Sequence, residues 1–383
     1  MVTVSEGCDD GHRYPAGDTG GDRGNGEAGA VMTAMTATAR KRWLRAGKWA
    51  AWLLAVLIVL PVTAAATALR VGYAGTAAPE ATTRGRDALW LGHAWVDGRR
   101  DASDVAALRR RIGDTGIRDL YVHAGPLEHD GTLPPARKAY PRARWLIAAV
   151  HRELPEVRVH AWLGDRLVYE PGERGGLRLA DAGARKAIVA SARQVLADGF
   201  AGVHLDVEPL HSDNPDYLRL LDRLVPAVHA QGGVFSVAVH QIDPLPRLHT
   251  VSNAVTGHRK WISQRFFGQV ARRVDQIALM SYDTALPTEG LYGGYVAQQT
   301  RLALEATPEG TDLLMGLPFF HTDGMGHHAS AETVRAAVRG IRLGLTREDL
   351  GRKRFGTALY VDFAATEEDW SAYGRGWGER KGS

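Results

Sequence analysis

The sequence predicts a (β/α)₈ barrel, the TIM-barrel form of the α/β class, preceded by a single N-terminal transmembrane helix or signal peptide. Three observations predict it. Eight short apolar runs rich in β-formers begin 30 to 44 residues apart from residue 88 onward. Helical patterns with apolar residues at three-to-four spacing fall between them. Ahead of both lies a stretch of 21 residues without a charge, between Lys48 and Arg70.

Taken in chain order, residues 1–39 are rich in Gly, Asp, Thr and Ala, show no apolar periodicity and read as a disordered arm. The single cysteine, Cys8, lies there, so no internal disulfide and no thiolate metal site is expected beyond it. Met32 and Met35 are alternative starts to Met1, and a start at either would leave an ordinary signal sequence. Residues 40–70 form a basic flank and an apolar segment. Arg40, Lys41, Arg42, Arg45 and Lys48 precede the uncharged run, which is long enough to cross a hydrocarbon core of roughly 30 Å. The positive-inside rule keeps these cations in the cytoplasm and places everything after Arg70 outside. Ala66-Thr67-Ala68 fits a cleavage site, so two outcomes stand: a single-pass membrane protein with its C-terminal domain outside, or a secreted one. Residues 71–86 read as a linker and 87–383 as the barrel.

The formal charge of +4 invites a nucleic-acid reading. The five cations of the flank exceed that total, so no basic stripe remains elsewhere to follow a phosphate backbone. The expected partners are the membrane, through the N-terminal segment, and a substrate; no nucleic acid is expected.

Within the barrel the strands are expected at 88–95, 118–124, 157–163, 201–208, 234–240, 276–282, 312–318 and 356–363. The clearest helices are expected at 103–112, 141–154, 181–196, 215–230, 260–274 and 331–343. A doubly wound open sheet is the alternative, but no Gly-rich phosphate loop follows the first strand. In a (β/α)₈ barrel the chemistry sits at the carboxyl ends of the strands. The fourth run ends His204-Leu-Asp206-Val-Glu208. Strand alternation puts these three on one face, pointing into the barrel, with Val203, Leu205 and Val207 on the other. Neighbouring carboxylates push one pKa up, leaving one carboxyl protonated near neutrality. Glu208, nearest the mouth, is the expected proton donor and Asp206, deeper, its ionised partner. The structural alternative is an ion pair with an Arg from a neighbouring strand.

The run D-G-F-A-G-V-H-L-D-V-E at 198–208 resembles the fourth-strand signature of family-18 glycoside hydrolases, the chitinase-like (β/α)₈ enzymes. Ala278-Leu-Met-Ser-Tyr-Asp283 resembles that family's sixth-strand M-x-Y-D, and Leu314-Met-Gly-Leu-Pro-Phe-Phe320 its seventh-strand G-x-P-F. The resemblance spans residues 88 to 365. It implies hydrolysis of a 2-acetamido-sugar glycan, chitin-like or peptidoglycan-like, with substrate assistance and retention. Glu208 would be the general acid, Asp206 would orient the acetamido group, and Tyr282 would hydrogen-bond its carbonyl with Asp283 alongside. That chemistry calls for no metal and no cofactor. Ala201 and His204 depart from the signature's acidic positions; His204 is expected to hydrogen-bond Asp206 from below and to alter its titration. Tyr360-Val-Asp362-Phe363 stands where the family places a Trp under the sugar. Trp95, Trp162, Met280 and Tyr360, with His204, complete the expected substrate-binding set.

Two rival functions remain. One is a glycan-binding barrel without turnover. The other is a metal-dependent hydrolase drawing on His93, His123, His160, His204, His240 and His321, with Asp362. His327-His328, in a Gly-rich loop, reads as a solvated surface pair.

Overall fold

The computed structural model describes residues 37–170, 172–250, 260–324 and 326–378. The expected arm up to residue 36, with Cys8, Met32 and Met35, lies outside them. The chain divides into two units, Met1–Leu60 and Pro61–Ser383. The first contains the basic flank and the start of α1 (Ala37–Tyr73). Over Ala55–Tyr73 this helix is long and apolar enough to cross a membrane, a property shared by anchors and signal sequences.

The second unit holds eight parallel strands in sequential order: β1 (Asp87–Leu91), β2 (Ile117–Pro126), β3 (Arg158–Arg166), β4 (Gly202–Glu208), β5 (Val234–Val239), β6 (Gln276–Leu279), β7 (Asp312–Pro318) and β8 (Phe355–Tyr360). Pairing of β1 with β8 closes the barrel, so no sheet edge is left open. After β1 come α2 (Ala94–Asp97) and α3 (Ala102–Ile112), and after β2, α4 (Ala136–Ala139) and α5 (Ala143–Glu153). α6 (Ala182–Ala197), α7 (Pro215–His229), α8 (Gln264–Ala271), α9 (Glu289–Ala306) and α10 (Val334–Glu348) follow the next five strands. α11 (Glu367–Tyr373) follows β8. Side-chain caps fix most of the starts: Asp101 and Thr366 form capping boxes, and Asp181, Asn214, Ser263, Thr288 and Thr333 each accept from a first-turn N–H.

Strand alternation separates two cores. Val203, Leu205 and Val207 of β4 join the large outer cluster against the helices, as do Leu120 and Val122 of β2. Ala88, Trp90, Tyr121, Ala238, Ala278, Leu314 and Ala358 fill the barrel interior, with Trp162, Met280 and Tyr360 above them.

Several boundaries differ from the sequence reading: β6 and β8 end at Leu279 and Tyr360, short of the expected 282 and 363, and α8 is shorter than the expected 260–274. β1 ends at Leu91, and Trp95 stands on α2, four residues beyond the strand it was expected to close. The stretch 71–86, expected as a linker, is packed against the barrel. Arg347 donates to the carbonyls of Gly72 and Ala74, Arg339 to those of Tyr73 and Gly75, and Arg84 to that of Leu350. Ala81 is fully buried. Gly293 and Gly294 of α9 make the approach possible. A Cβ on Gly294 would collide with the Leu69 carbonyl, and one on Gly293 with the Tyr73 ring.

Candidate active site at the barrel mouth

Inward side chains form layers. At the floor, Asp119 of β2 accepts two bonds from the Arg158 guanidinium at 2.8 and 2.9 Å and one from Gln276 Nε2 at 2.8 Å. His160 Nε2 lies 2.7 Å from its Oδ1. Burial alone would raise this carboxyl, but His160 and Arg158 hold it well below the usual carboxylate range. A column of contacts climbs from there. The Tyr121 hydroxyl donates to Gln276 Oε1 at 3.2 Å, Ser236 Oγ meets the same hydroxyl at 3.2 Å, and His204 Nδ1 lies 2.9 Å from Ser236 Oγ.

His204 is therefore a component of this column. It is fully buried and lies flat on Tyr121, ring centroids 3.9 Å apart. Two expectations for it are corrected. It cannot reach substrate through the layer above, and its Nδ1 bonds Ser236, not Asp206. Burial first, then the nearby His160, push its pKa well below 6.5, so it stays neutral and adds no charge to the carboxylates overhead.

The carboxylates of the upper layer are treated differently from Asp119. Asp206 accepts 3.0 Å from Trp162 Nε1 through Oδ2, while its Oδ1 is shut off from solvent without a hydrogen-bond donor. Burial, reinforced by Glu208, raises its pKa to about 7. The raised pKa expected of one of the two carboxyls thus falls on the deeper one, because burial outweighs the single hydrogen bond from Trp162. Glu208 stands at the rim, 29% exposed, with His240 Nδ1 3.7 Å from its Oε1. Of the arginines on neighbouring strands, Arg158 is engaged at the floor and Arg166 bonds Glu173.

Tyr282 and Tyr360 form the opposite wall. Their rings stack with centroids 5.6 Å apart, and Phe320 meets both edge-on. Both phenols are pushed up by burial, and the charges of Asp206, Glu208 and Asp283 add to each shift. Met280 packs beneath, against the interior cluster. Trp162 meets Tyr360 edge-on at 6.1 Å and His123 at 4.9 Å. Trp95 is not part of this surface. It is 6% exposed, its Nε1 donates 2.7 Å to Asp362, and Arg100 covers its ring. Its expected sugar-stacking role is corrected to packing.

With that geometry in hand, comparison with known proteins is informative about the fold. No family model matches the sequence, and no curated protein matches it. Solved structures do match. A chitinase from Chromobacterium violaceum is 15% identical, with 77% of this chain and 98% of that one covered at a TM-score of 0.50. The spore cortex-lytic enzyme SleL of Bacillus cereus is 11% identical, covering 76% and 74% at 0.53. The Group IV chitinase of Ostrinia furnacalis is 14% identical, covering 76% and 98% at 0.50. The barrel is chitinase-like in fold.

Within this chitinase-like barrel the histidines expected of a metal hydrolase disperse. His160 and His204 sit in the floor column, His93 Nδ1 contacts the His123 carbonyl, and His321 pairs with Asp369 on α11. Asp362 is taken by Trp95 and the Gly92 amide. Burial lowers His123 to about 4. His327 reverses its expectation as a solvated residue. Only 4% of its side chain is exposed, and its Nδ1 lies 3.2 Å from Asp283 and 3.3 Å from Glu332. Burial disfavours its charge, but those two carboxylates raise its pKa to about 9. Its neighbour His328 is exposed, as expected. His240, expected only as a candidate metal ligand, stands beside Glu208. Glu332, behind Asp283, was not singled out and had no legible signal.

Proposed function

We propose that the barrel is an exported glycoside hydrolase acting on a 2-acetamido-sugar glycan of the chitin or peptidoglycan type. The observation that carries this reading is the pairing of a rim carboxylate, Glu208, with a buried Asp206, whose pKa burial raises, beside the Tyr282–Tyr360 wall. A buried carboxyl with a strongly raised pKa at the carboxyl end of barrel strands is where catalytic chemistry is expected. The chitinases and the cortex-lytic enzyme among the similar structures support a glycan as substrate.

In this reading the proton held on Asp206 passes to Glu208 as substrate binds, and Glu208 delivers it to the glycosidic oxygen as the bond to the anomeric carbon breaks. The substrate's own acetamido oxygen attacks that carbon from the opposite face. Asp206 accepts from the acetamido N–H, and the Tyr282 hydroxyl donates to the acetamido oxygen. Water, deprotonated by Glu208, then opens the cyclic intermediate and restores the original configuration. Tyr360 and Trp162 flank the sugar. Charged residues before the apolar segment, and the membrane-length helix itself, support export with the barrel outside, either tethered or released.

The test is turnover of 2-acetamido oligosaccharides followed by NMR of the product anomer. Retention, with loss of turnover in Glu208→Gln, supports the reading. Full turnover in Glu208→Gln, or inversion, overturns it. Glycan affinity without turnover in the unaltered protein would establish the binding-module alternative in its place.

A further inference from the structure

Two buried carboxylate-and-imidazole groups behind the Tyr282 wall have no role in the proposed reaction. Glu332, at the N-terminal side of α10, has a fully buried side chain. Its Oε1 accepts from the Thr284 amide at 3.0 Å, the Thr284 hydroxyl at 3.0 Å and the Ala285 amide at 3.1 Å. That atom is saturated. Its Oε2 has no hydrogen-bond donor, although it is closed to solvent. Both ring nitrogens of His327 are equally buried, and Nδ1 faces Asp283 and Glu332 at 3.2 and 3.3 Å without an aligned hydrogen bond, so a metal bound there would replace the proton that the two carboxylates otherwise hold on the ring. Two buried side chains, His327 and Glu332, thus turn unsatisfied atoms toward the half-exposed Asp283, and the ligand atoms of the three all lie within 4.8 Å of one another. Unsatisfied buried polar atoms are costly, and a native fold normally supplies them with a partner.

We infer that Asp283, His327 and Glu332 form a binding site for a divalent cation of the zinc class. The donor set, one imidazole and two carboxylates, suits such an ion. The spacing suits it too: with metal–ligand bonds of about 2.0–2.2 Å, two ligands of a tetrahedron lie about 3.4 Å apart. The observed separations from His327 Nδ1 are 3.2 and 3.3 Å. Asp283 is 52% exposed, so a fourth position opens toward the mouth. The Lys260 ammonium, which feels the charges of both Asp283 and Glu332, is the competing cation already near the site. The metal would tie the loop after β6, which carries Asp283, to the loop after β7, which carries His327. Phe320, whose ring centroid is 4.3 Å from that of His327, would be held against the cleft wall. This role is structural and stands whether or not the cleft hydrolyses glycans.

The experiment is calorimetric titration of the chelator-stripped full chain, in detergent, with zinc chloride. One equivalent should bind, and the melting temperature should rise with it. His327→Gln and Glu332→Gln should each weaken binding by about tenfold or more and remove the thermal shift, while His328→Gln, altering the exposed neighbour, should leave both unchanged. The Glu332→Gln variant keeps the Oε1 acceptor for the 284–285 backbone, so loss of metal in it is separable from loss of fold. Absence of saturable one-to-one binding by the unaltered chain overturns the inference. So does undiminished binding in both variants.

Discussion

The floor and the mouth of this barrel each bury a carboxylic acid, and the two are treated in opposite ways. Asp119 has an Arg, a His and a Gln arranged on its two oxygens, and it is held ionised. Asp206 has one indole N–H, and it is driven toward its neutral form. Burial is common to both; compensation is not. A compensated buried carboxylate is a structural element, whereas an under-compensated one near the strand ends is held in readiness for a proton or a polar substrate group. Asp119 lies near the start of β2 and Asp206 near the end of β4, at opposite ends of the barrel interior.

Substitutions at the two levels should therefore fail in different currencies. Glu208→Gln should cut turnover by about 10²–10⁴-fold while leaving the melting temperature within a few degrees, read by oligosaccharide hydrolysis and thermal denaturation. Asp119→Ala should do the converse. It leaves the buried His160 and Gln276 without their shared partner and Arg158 unpaired, so a loss of about 2–4 kcal/mol in denaturant unfolding is expected, with little change in turnover per folded molecule. A large catalytic loss from the floor variant, at unchanged stability, would break the comparison.

The pH dependence of stability sharpens it, because the two signs are opposite. Asp119 is depressed, so its contribution is present above the unfolded carboxylate pKa near 4 and is lost as pH falls below that. Asp206 is raised, so its neutral form is fully accommodated below about pH 4, and stability is lost as pH climbs from there through about 7. Asp206→Asn should consequently gain on the unaltered protein between pH 4 and pH 8, by a few kcal/mol at most. A gain confined to acid pH would refute the assignment. The smallest effect is expected of Trp162→Phe. Removing the indole N–H takes away about 1 kcal/mol and the one hydrogen bond that lowers Asp206, so the carboxyl resonance of Asp206 should titrate higher still in ¹³C NMR.

Much of the barrel was legible because its signals are local. β-rich runs, capping residues and the alternation in His204-Leu-Asp206-Val-Glu208 depend on neighbours in sequence. What was missed depends on distance. α9 gave a weak pattern because it is buried on more than one side, with Tyr292, Tyr295 and Gln299 all enclosed. The 71–86 stretch has a linker's composition, and only the arginines of α10, some 260 residues on, reveal that it is anchored. His204 was correctly placed on the inward face, but its neutrality follows from Tyr121 and Ser236, which sequence alone does not bring to it. His327 sits in a Gly-rich loop that looks solvated until Asp283 and Glu332 close around it.

The seam between α1 and the barrel has a structural consequence. Leu69 and Tyr73 lie on the bare backbone of Gly293 and Gly294, and the carbonyls that follow are clasped by three arginines, Arg339, Arg342 and Arg347. The last turn of α1 is thereby built into the packing of the barrel unit itself. Removing residues 69–78 would bare Gly293 and Gly294 and strip those arginines of their acceptors.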